Sequence, residues 1–274
     1  MEHQPFSVAI SVYKNDNPVH FDRALESITE QQTVKPNEIV LVVDGPVPDE
    51  TNVVIDKYSK KYNLKVIRLE TNTGLGNALR IATDNCSNEF VARMDSDDVS
   101  LPNRFESELG LFSSDSSLDI VGGNIDEFIN EENNVVAVRR VPQSDCEIKQ
   151  FLKKRSPLNH VSVIFKKESV IKSGNYIDLF WNEDYYLWIR MAEHGCKMAN
   201  IAESVVKVRI GQDMYRRRGG YKYFKSEYFL QKYMLNHKMI SKWLFISNVF
   251  KRFIVQVLVP SRLRGFLFRK FARK

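Results

Sequence analysis

The chain is poor in cysteine: Cys86, Cys146 and Cys196 are odd in number, scattered and without a CxxC spacing. Three isolated thiols make no disulfide framework, and nothing pairs them with the five histidines as a zinc site would require. A reduced, cytoplasmic compartment fits that usage. Long apolar runs are missing too, since no stretch reaches the roughly 18 uninterrupted apolar residues of a membrane span. The opening MEHQPFSVAISVYKND lacks the basic n-region and the long apolar h-region of a secretory signal. The expectation is a protein neither secreted nor embedded in a bilayer. Internal repeats and low-complexity linkers are absent as well. With 274 residues and 43% hydrophobic content, there is enough apolar material for a sizeable core.

Acid is nearly absent from one end. From Tyr215 to Lys274 there are 16 Lys and Arg against the single acid Glu227, a balance of +15. The preceding 214 residues hold the other 24 bases and 33 acids, a balance of −9. Body and tail therefore face different partners. The division expected is an α/β body over 1–214 and a basic amphipathic, helical segment over 215–274.

What is present in the body is a regular alternation. FSVAISVY (6–13), EIVLVVDG (38–45), LKVIRLE (64–70) and EFVARMD (89–95) read as strands, rich in β-branched residues and bounded by turn formers. FDRALESITEQQ (21–32), DETNVVIDKYSKKY (49–62) and GLGNALRIATDN (74–85) read as intervening helices. Such alternation predicts a parallel sheet covered on both faces, with ligands beyond the carboxyl ends of its strands. Downstream, 118–129 and 135–141 suggest a hairpin. A helix near 144–154, a strand over 161–167, a helix over 182–195 and a strand over 203–210 follow.

The unusual stretch is VARMDSDDVSLPNRFE (91–106), where an apolar strand ends in Asp95, Asp97 and Asp98. Residues two apart in extended chain point the same way, so Asp95 and Asp97 can aim at one point while Asp98 turns aside or caps the next helix. Convergent carboxylates suit a hard divalent cation shared with phosphate oxygens. Helix capping alone accounts for one or two of the acids but leaves Asp95 unexplained. Asp44 ends a second strand, where it can accept hydrogen bonds from a base or ribose, or form an Asx turn. TNTGLGNALRIA (71–82) opens a helix with a glycine turn able to approach a phosphate or a ring. A dinucleotide fingerprint is not completed, because Leu79 stands at its third glycine position.

SVAISVYKND, EIVLVVDGP, NTGLGNALRIA, VARMDSDDVSLPNRFE and NEDYYLWIRMAEHG come in the order and rough spacing of the family-2 glycosyltransferases with a GT-A fold. The resemblance covers about residues 6–215 and is closest to bacterial enzymes that assemble O-antigen, capsule or exopolysaccharide. It implies a Rossmann-like, mixed, mostly parallel sheet flanked by helices, with a nucleotide-binding half over 1–115 and an acceptor half over 116–214. It also implies an inverting, non-processive transfer from a nucleoside diphosphate sugar, UDP-linked by preference, to a saccharide acceptor that is often lipid-linked. Ser11, Val12 and Tyr13 would line the base, Asp44 would hold uracil or ribose, and Asn72 and Gly74 would lie near the nucleotide-sugar. Asp95 and Asp97 would form the DxD motif, with Asp97 the direct ligand of Mn²⁺ or Mg²⁺, and Arg93 would touch the sugar or pyrophosphate. Glu183 and Asp184 match the catalytic acidic pair, with Asp184 as the base; acids in a first helical turn also simply complement its dipole.

Departures from the family are informative. Val43 stands where many members have a second acid. The QxxRW signature of processive members is not met in GQDMYRRRGG, so a single addition is expected. Arg217, with its neighbours Arg216 and Arg218, either clamps the diphosphate or forms a solvated basic turn. His160 is a candidate donor or acceptor contact, or a structural histidine. In the tail, Trp243, Phe245, Phe250 and Phe253 alternate with Lys and Arg, a composition suited to an anionic membrane surface. This places the protein at the inner face of the cell membrane, with packing on the body or in a homodimer as the competing role. Nucleic acid is disfavoured because the segment is too apolar. A non-catalytic sugar-nucleotide binder and an NAD(P) oxidoreductase are the functional alternatives.

Overall fold

The computed structural model describes residues 4–211 and 219–259. The chain begins with β1 (Phe6–Val12), α1 (Pro18–Thr29), β2 (Glu38–Val43), α2 (Asp49–Ser59), β3 (Leu64–Arg68), α3 (Leu75–Asn85) and β4 (Phe90–Met94). These four strands are parallel, in the order β3-β2-β1-β4. All six residues of β2 are buried. Ile39, Leu41 and Val43 enter the core on one face of the sheet, and Val40 and Val42 the core on the other. A strand covered on both sides has no polar face, which is why it reads as an unbroken apolar run.

The second half adds β5 (Val99–Ser100), α4 (Arg104–Ser114), β6 (Ile120–Phe128), β7 (Val135–Arg139), α5 (Asp145–Leu152), β8 (Ile164–Lys166), α6 (Lys167–Lys172), α7 (Glu183–Glu193) and β9 (Met198–Arg209). β8 is antiparallel to both β4 and β6, and β9 runs parallel to β6. β6 and β7 form the expected hairpin. Among the described residues the sheet has nine strands, in the order β3-β2-β1-β4-β8-β6-β9-β5 with β7 beside β6. The direction in which sequence order advances reverses at β1, between β2 and β4, and a crevice at such a switch point is where ligands bind in open α/β sheets. Two further helices, α8 (Tyr221–Asn236) and α9 (Lys242–Phe253), close the described chain before a π-helical turn at Ile254–Leu258.

Some boundaries move for clear reasons. Helix α1 starts at Pro18 rather than at 21, because Asn17 accepts from the Val19 and His20 amides and proline is pre-set for the first helical turn. The strand expected over 161–167 is shortened, since His160–Ser162 forms a 3-10 turn. Strand β9 starts at Met198, five residues before the expected 203, because β6 pairs along it from Ile120 to Phe128. Asp98 does not cap the next helix. Helix α4 starts after Asn103, which makes no side-chain cap bond. Asp98 instead accepts from the backbone N–H of Arg209 at 2.8 Å, tying the acidic turn to the end of β9.

Candidate active site

A cavity of about 680 Å³ lies beyond the carboxyl ends of β1, β2 and β4. Of the residues expected at a site, Ser11, Tyr13, Asp44, Asn72, Gly74, Asp95, Asp97 and Glu183 form part of its wall. The structure does not bring Val12, Arg93, His160 or Asp184 to that wall. The Val12 side chain belongs to the core, and Arg217 lies outside the described residues. The wall also holds residues that the sequence reading missed, among them Asp16, Ser96, Asp178, Phe180 and Trp181. Their signal was proximity: Asp16 follows the first strand in YKND, and Asp178 to Trp181 immediately precede the acidic pair.

Asp44 is saturated by its own chain. One carboxylate oxygen accepts from the Thr73 amide at 2.7 Å and the Thr73 hydroxyl at 3.1 Å. The other accepts from Asn72 Nδ2 at 2.9 Å and the Gly74 amide at 3.0 Å. Its job here is to fasten the 72–74 loop across the end of β2. Gly45, at φ +85°, is required for that closure, because a Cβ there would stand 2.8 Å from the Asn72 nitrogen.

Asp95, Asp97 and Asp98 converge, each offering a carboxylate oxygen within 4.8 Å of the others. Only Asp97 is exposed. Asp95 is held by the buried Arg93, whose Nη1 lies 2.5 Å from it. Arg93 thus braces the acidic turn from below instead of reaching the cavity. Burial and the charges of Asp95 and Asp97 hold Asp98 well above the usual carboxylate range. Although its outer edge is exposed, Asp97 sits deep enough among its neighbours that partial withdrawal from water, with the charges of Asp95 and Asp16, pushes it up to about 6. Three oxygen donors within reach of one point, with Asp97 and Asp98 crowded until they resist ionisation and Asp95 and Asp97 on the cavity wall, are a set that a divalent cation would relieve, so the residues fit Mg²⁺ or Mn²⁺. Asp16 fixes this turn to the β1 end, accepting from Ser96 Oγ at 2.8 Å and from the Tyr13 amide at 3.0 Å. Beneath it, the fully buried Arg104 donates to the Arg93 carbonyl at 2.8 Å and pairs with Glu108 at 3.1 Å.

The far wall is the segment before α7. In the glycine turn of TNTGLGNALRIA, Gly74 lines the cavity while Gly76 is covered by chain: a Cβ there would lie 3.1 Å from the Asp178 Cα. Trp181, 49% exposed, is held at φ +60°, a left-handed conformation that a bulky residue adopts only where its surroundings impose it. Glu183 faces the cavity from the first turn of α7, and burial together with the charge of Asp184 pushes it up to about 7. His160 belongs to a structural cluster, its Nε2 3.0 Å from the Tyr176 hydroxyl and its ring edge-on to Trp188. Burial and the nearby positive charge of Arg93 keep that imidazole neutral.

Comparisons with known proteins agree with this geometry. Residues 7–180 match the family described as Glycosyl transferase family 2. The chain is 37% identical over 268 residues to the amylovoran biosynthesis glycosyltransferase AmsE of Erwinia amylovora, covering 97% of this chain and 98% of that protein. It is 35% identical over 269 residues to the UDP-Gal:alpha-D-GlcNAc-diphosphoundecaprenol beta-1,3-galactosyltransferase of Escherichia coli, covering 98% and 97%. In structure it resembles S. aureus TarS 1-349 solved with UDP-GlcNAc, with a TM-score of 0.69 at 20% identity, covering 97% of this chain and 76% of that one. The fold is GT-A.

Proposed function

The chain belongs to glycosyl transferase family 2, and from that premise we propose that it moves one sugar from a UDP-sugar to a hydroxyl of a lipid-linked saccharide during surface polysaccharide synthesis. The observation that carries the reading is the convergence of Asp95, Asp97 and Asp98, the first two of which line the same cavity as Glu183. Relatives named for amylovoran biosynthesis and for transfer to a GlcNAc-diphosphoundecaprenol support the acceptor class. In this reading residues 1–115 bind the nucleotide and residues 116–214 the acceptor.

The β1 end, with Ser11 and Tyr13, receives the base. Asp44 acts one step removed, by holding Asn72 and Gly74 where the donor passes. Bound by Asp97 with Asp95, a divalent cation would neutralise the charge that develops on the leaving diphosphate. The acceptor oxygen attacks the anomeric carbon as the bond to the diphosphate breaks, and the hydroxyl proton passes to a carboxylate. Attack opposite the departing UDP inverts the anomeric centre, so one base suffices. Asp184, by its match to the family's acidic pair, is the base, and its charge is one of the causes that push the neighbouring Glu183 up to about 7. Family membership removes the oxidoreductase alternative. A thermal-shift series of UDP-sugars with and without Mn²⁺ tests the donor assignment: a true donor raises the melting temperature by mass action only with the cation, and equal shifts without it would refute the metal-assisted site.

A further inference from the structure

Helix α9 is docked inside out. A helix on a soluble body ordinarily buries its apolar stripe and shows its polar one. Here Asn248 and Arg252, one turn apart, face inward. Asn248 is 5% exposed and donates to the Lys153 carbonyl and to Gln231 Oε1, both at 2.9 Å. Arg252 pairs with Glu227 and donates to the Lys154 carbonyl, each at 2.5 Å. On the opposite side Trp243 is 83%, Ile246 56% and Phe250 64% exposed, at the i, i+3, i+7 spacing of one face. Only the helix start is conventional, with Leu244 and Phe245 packed on the core.

Helix α8 extends the patch. Its exposed Tyr221 and Tyr228 flank Phe224, which meets Phe253 at 5.5 Å, while Tyr228 meets Phe245 at 5.9 Å. The charge around this surface has one sign. Lys222, Lys225, Lys242 and Lys251 are exposed. The only acid from residue 215 onward, Glu227, is consumed by Arg252, and six more Lys or Arg follow between 260 and 274. A second copy docked face to face on this same patch would set basic surface against basic surface, with Glu227 already paired to Arg252. An interface of anionic lipid supplies both what the aromatics bury and what the lysines attract. No helix among the described residues is long and apolar enough to cross a membrane.

The patch adjoins the cavity. Lys222 Nζ lies 4.1 Å from the ring centre of Phe180, a wall residue, and Asn182 donates to Ser226 of α8 at 2.9 Å. We propose that the outward face of α8 and α9, with Trp243, Ile246 and Phe250 at its centre, seats the protein on an anionic bilayer and sets the cavity mouth beside the lipid surface. The consequence for acceptor delivery rests on the transferase reading; the seating itself rests on α9.

The test is sedimentation of the full chain with phosphatidylglycerol–phosphatidylcholine vesicles, beside the variant Trp243→Ser, Ile246→Ser, Phe250→Ser. All three side chains are more than half exposed, so their removal leaves the body's packing intact, and an unchanged melting temperature and far-ultraviolet circular dichroism check this. The variant is expected to bind at least tenfold more weakly while keeping every basic residue. Its transfer rate to a short-chain, water-soluble diphosphate-sugar acceptor should be unchanged. Vesicle binding equal to wild type, or wild type that ignores anionic vesicles, overturns the proposal. So does a wild-type dimer, insensitive to vesicles, that the substitutions split into monomers. If wild type sediments but transfers to no acceptor, the transferase reading fails and the membrane face stands.

Discussion

The carboxamide of Asn182 donates to Ser226 Oγ at 2.9 Å, fastening the residue before the Glu183–Asp184 pair to the helix that begins the basic tail. Both partners are buried. Ser226→Ala leaves the amide without its acceptor, which costs about 1–3 kcal/mol. The expected outcome is a lower melting temperature together with a reduced kcat at unchanged donor Kd, measured by calorimetry and by transfer to a soluble acceptor. A change in stability alone would separate the tail from the chemistry.

Asp44 is expected to act on the donor through its loop. Asp44→Ala frees the Thr73 and Gly74 amides at once and leaves Asn72 Nδ2 only the residue-44 backbone carbonyl, at 3.2 Å. Titration calorimetry should show donor affinity falling about tenfold or more, the equivalent of losing about 1.4 kcal/mol. Gly45→Ala should reproduce that loss in milder form, because the clash with Asn72 displaces the same loop. Unchanged affinity in both variants would mean that the loop does not hold the donor.

Glu183 carries an expectation for pH. Its folded value of about 7 lies above its ordinary 4.5, so the native state holds a proton that the unfolded chain has lost. Stability from this group therefore falls as pH rises through the window between those values and does not recover above it. Glu108, pushed up by burial against the opposing pull of Arg104, slopes the same way. Glu183→Gln should raise the melting temperature at pH 8 by about 2–4 °C, the shift that roughly 1 kcal/mol makes in a domain of this size. At pH 5 it should change little. Differential scanning calorimetry across that range checks the sign.

Arg104 is expected to be the costliest single loss beneath the site. Arg104→Ala strands Glu108 in the core and removes the donor to the Arg93 carbonyl, at a cost of about 3–5 kcal/mol. Urea unfolding measures it, and Arg104→Met with Glu108→Leu together should recover most of the stability.

The parallel half of the fold was legible because β2, apolar from Ile39 to Val43, and β4, apolar but for Arg93, are covered on both faces, and acids ending such strands stand out. Roles set by distant partners were not. Asp98 resembles a helix cap until Arg209, 111 residues away, is seen to donate to it. TNTGLGNALRIA resembles a phosphate turn throughout until the Asp178 backbone is seen to cover its second glycine, Gly76. Arg93 lies next to the DxD in sequence, yet its side chain turns into the core to pair with Asp95. The α9 stripe was readable as amphipathic, but periodicity alone does not say which stripe faces the body. That depended on Glu227 and Gln231 lying opposite Arg252 and Asn248.

The most direct measurement is sugar transfer from a panel of UDP-sugars to a diphosphate-linked saccharide, with Mn²⁺ or with EDTA, for wild type, Asp97→Ala and Asp184→Asn. Wild type should transfer one sugar only with the cation, and Asp97→Ala should lose cation-dependent donor binding. Asp184→Asn should keep donor affinity while transferring about 10²–10⁴-fold more slowly, as removal of a general base predicts. Wild-type turnover in Asp184→Asn, or transfer undiminished in EDTA, would contradict the account.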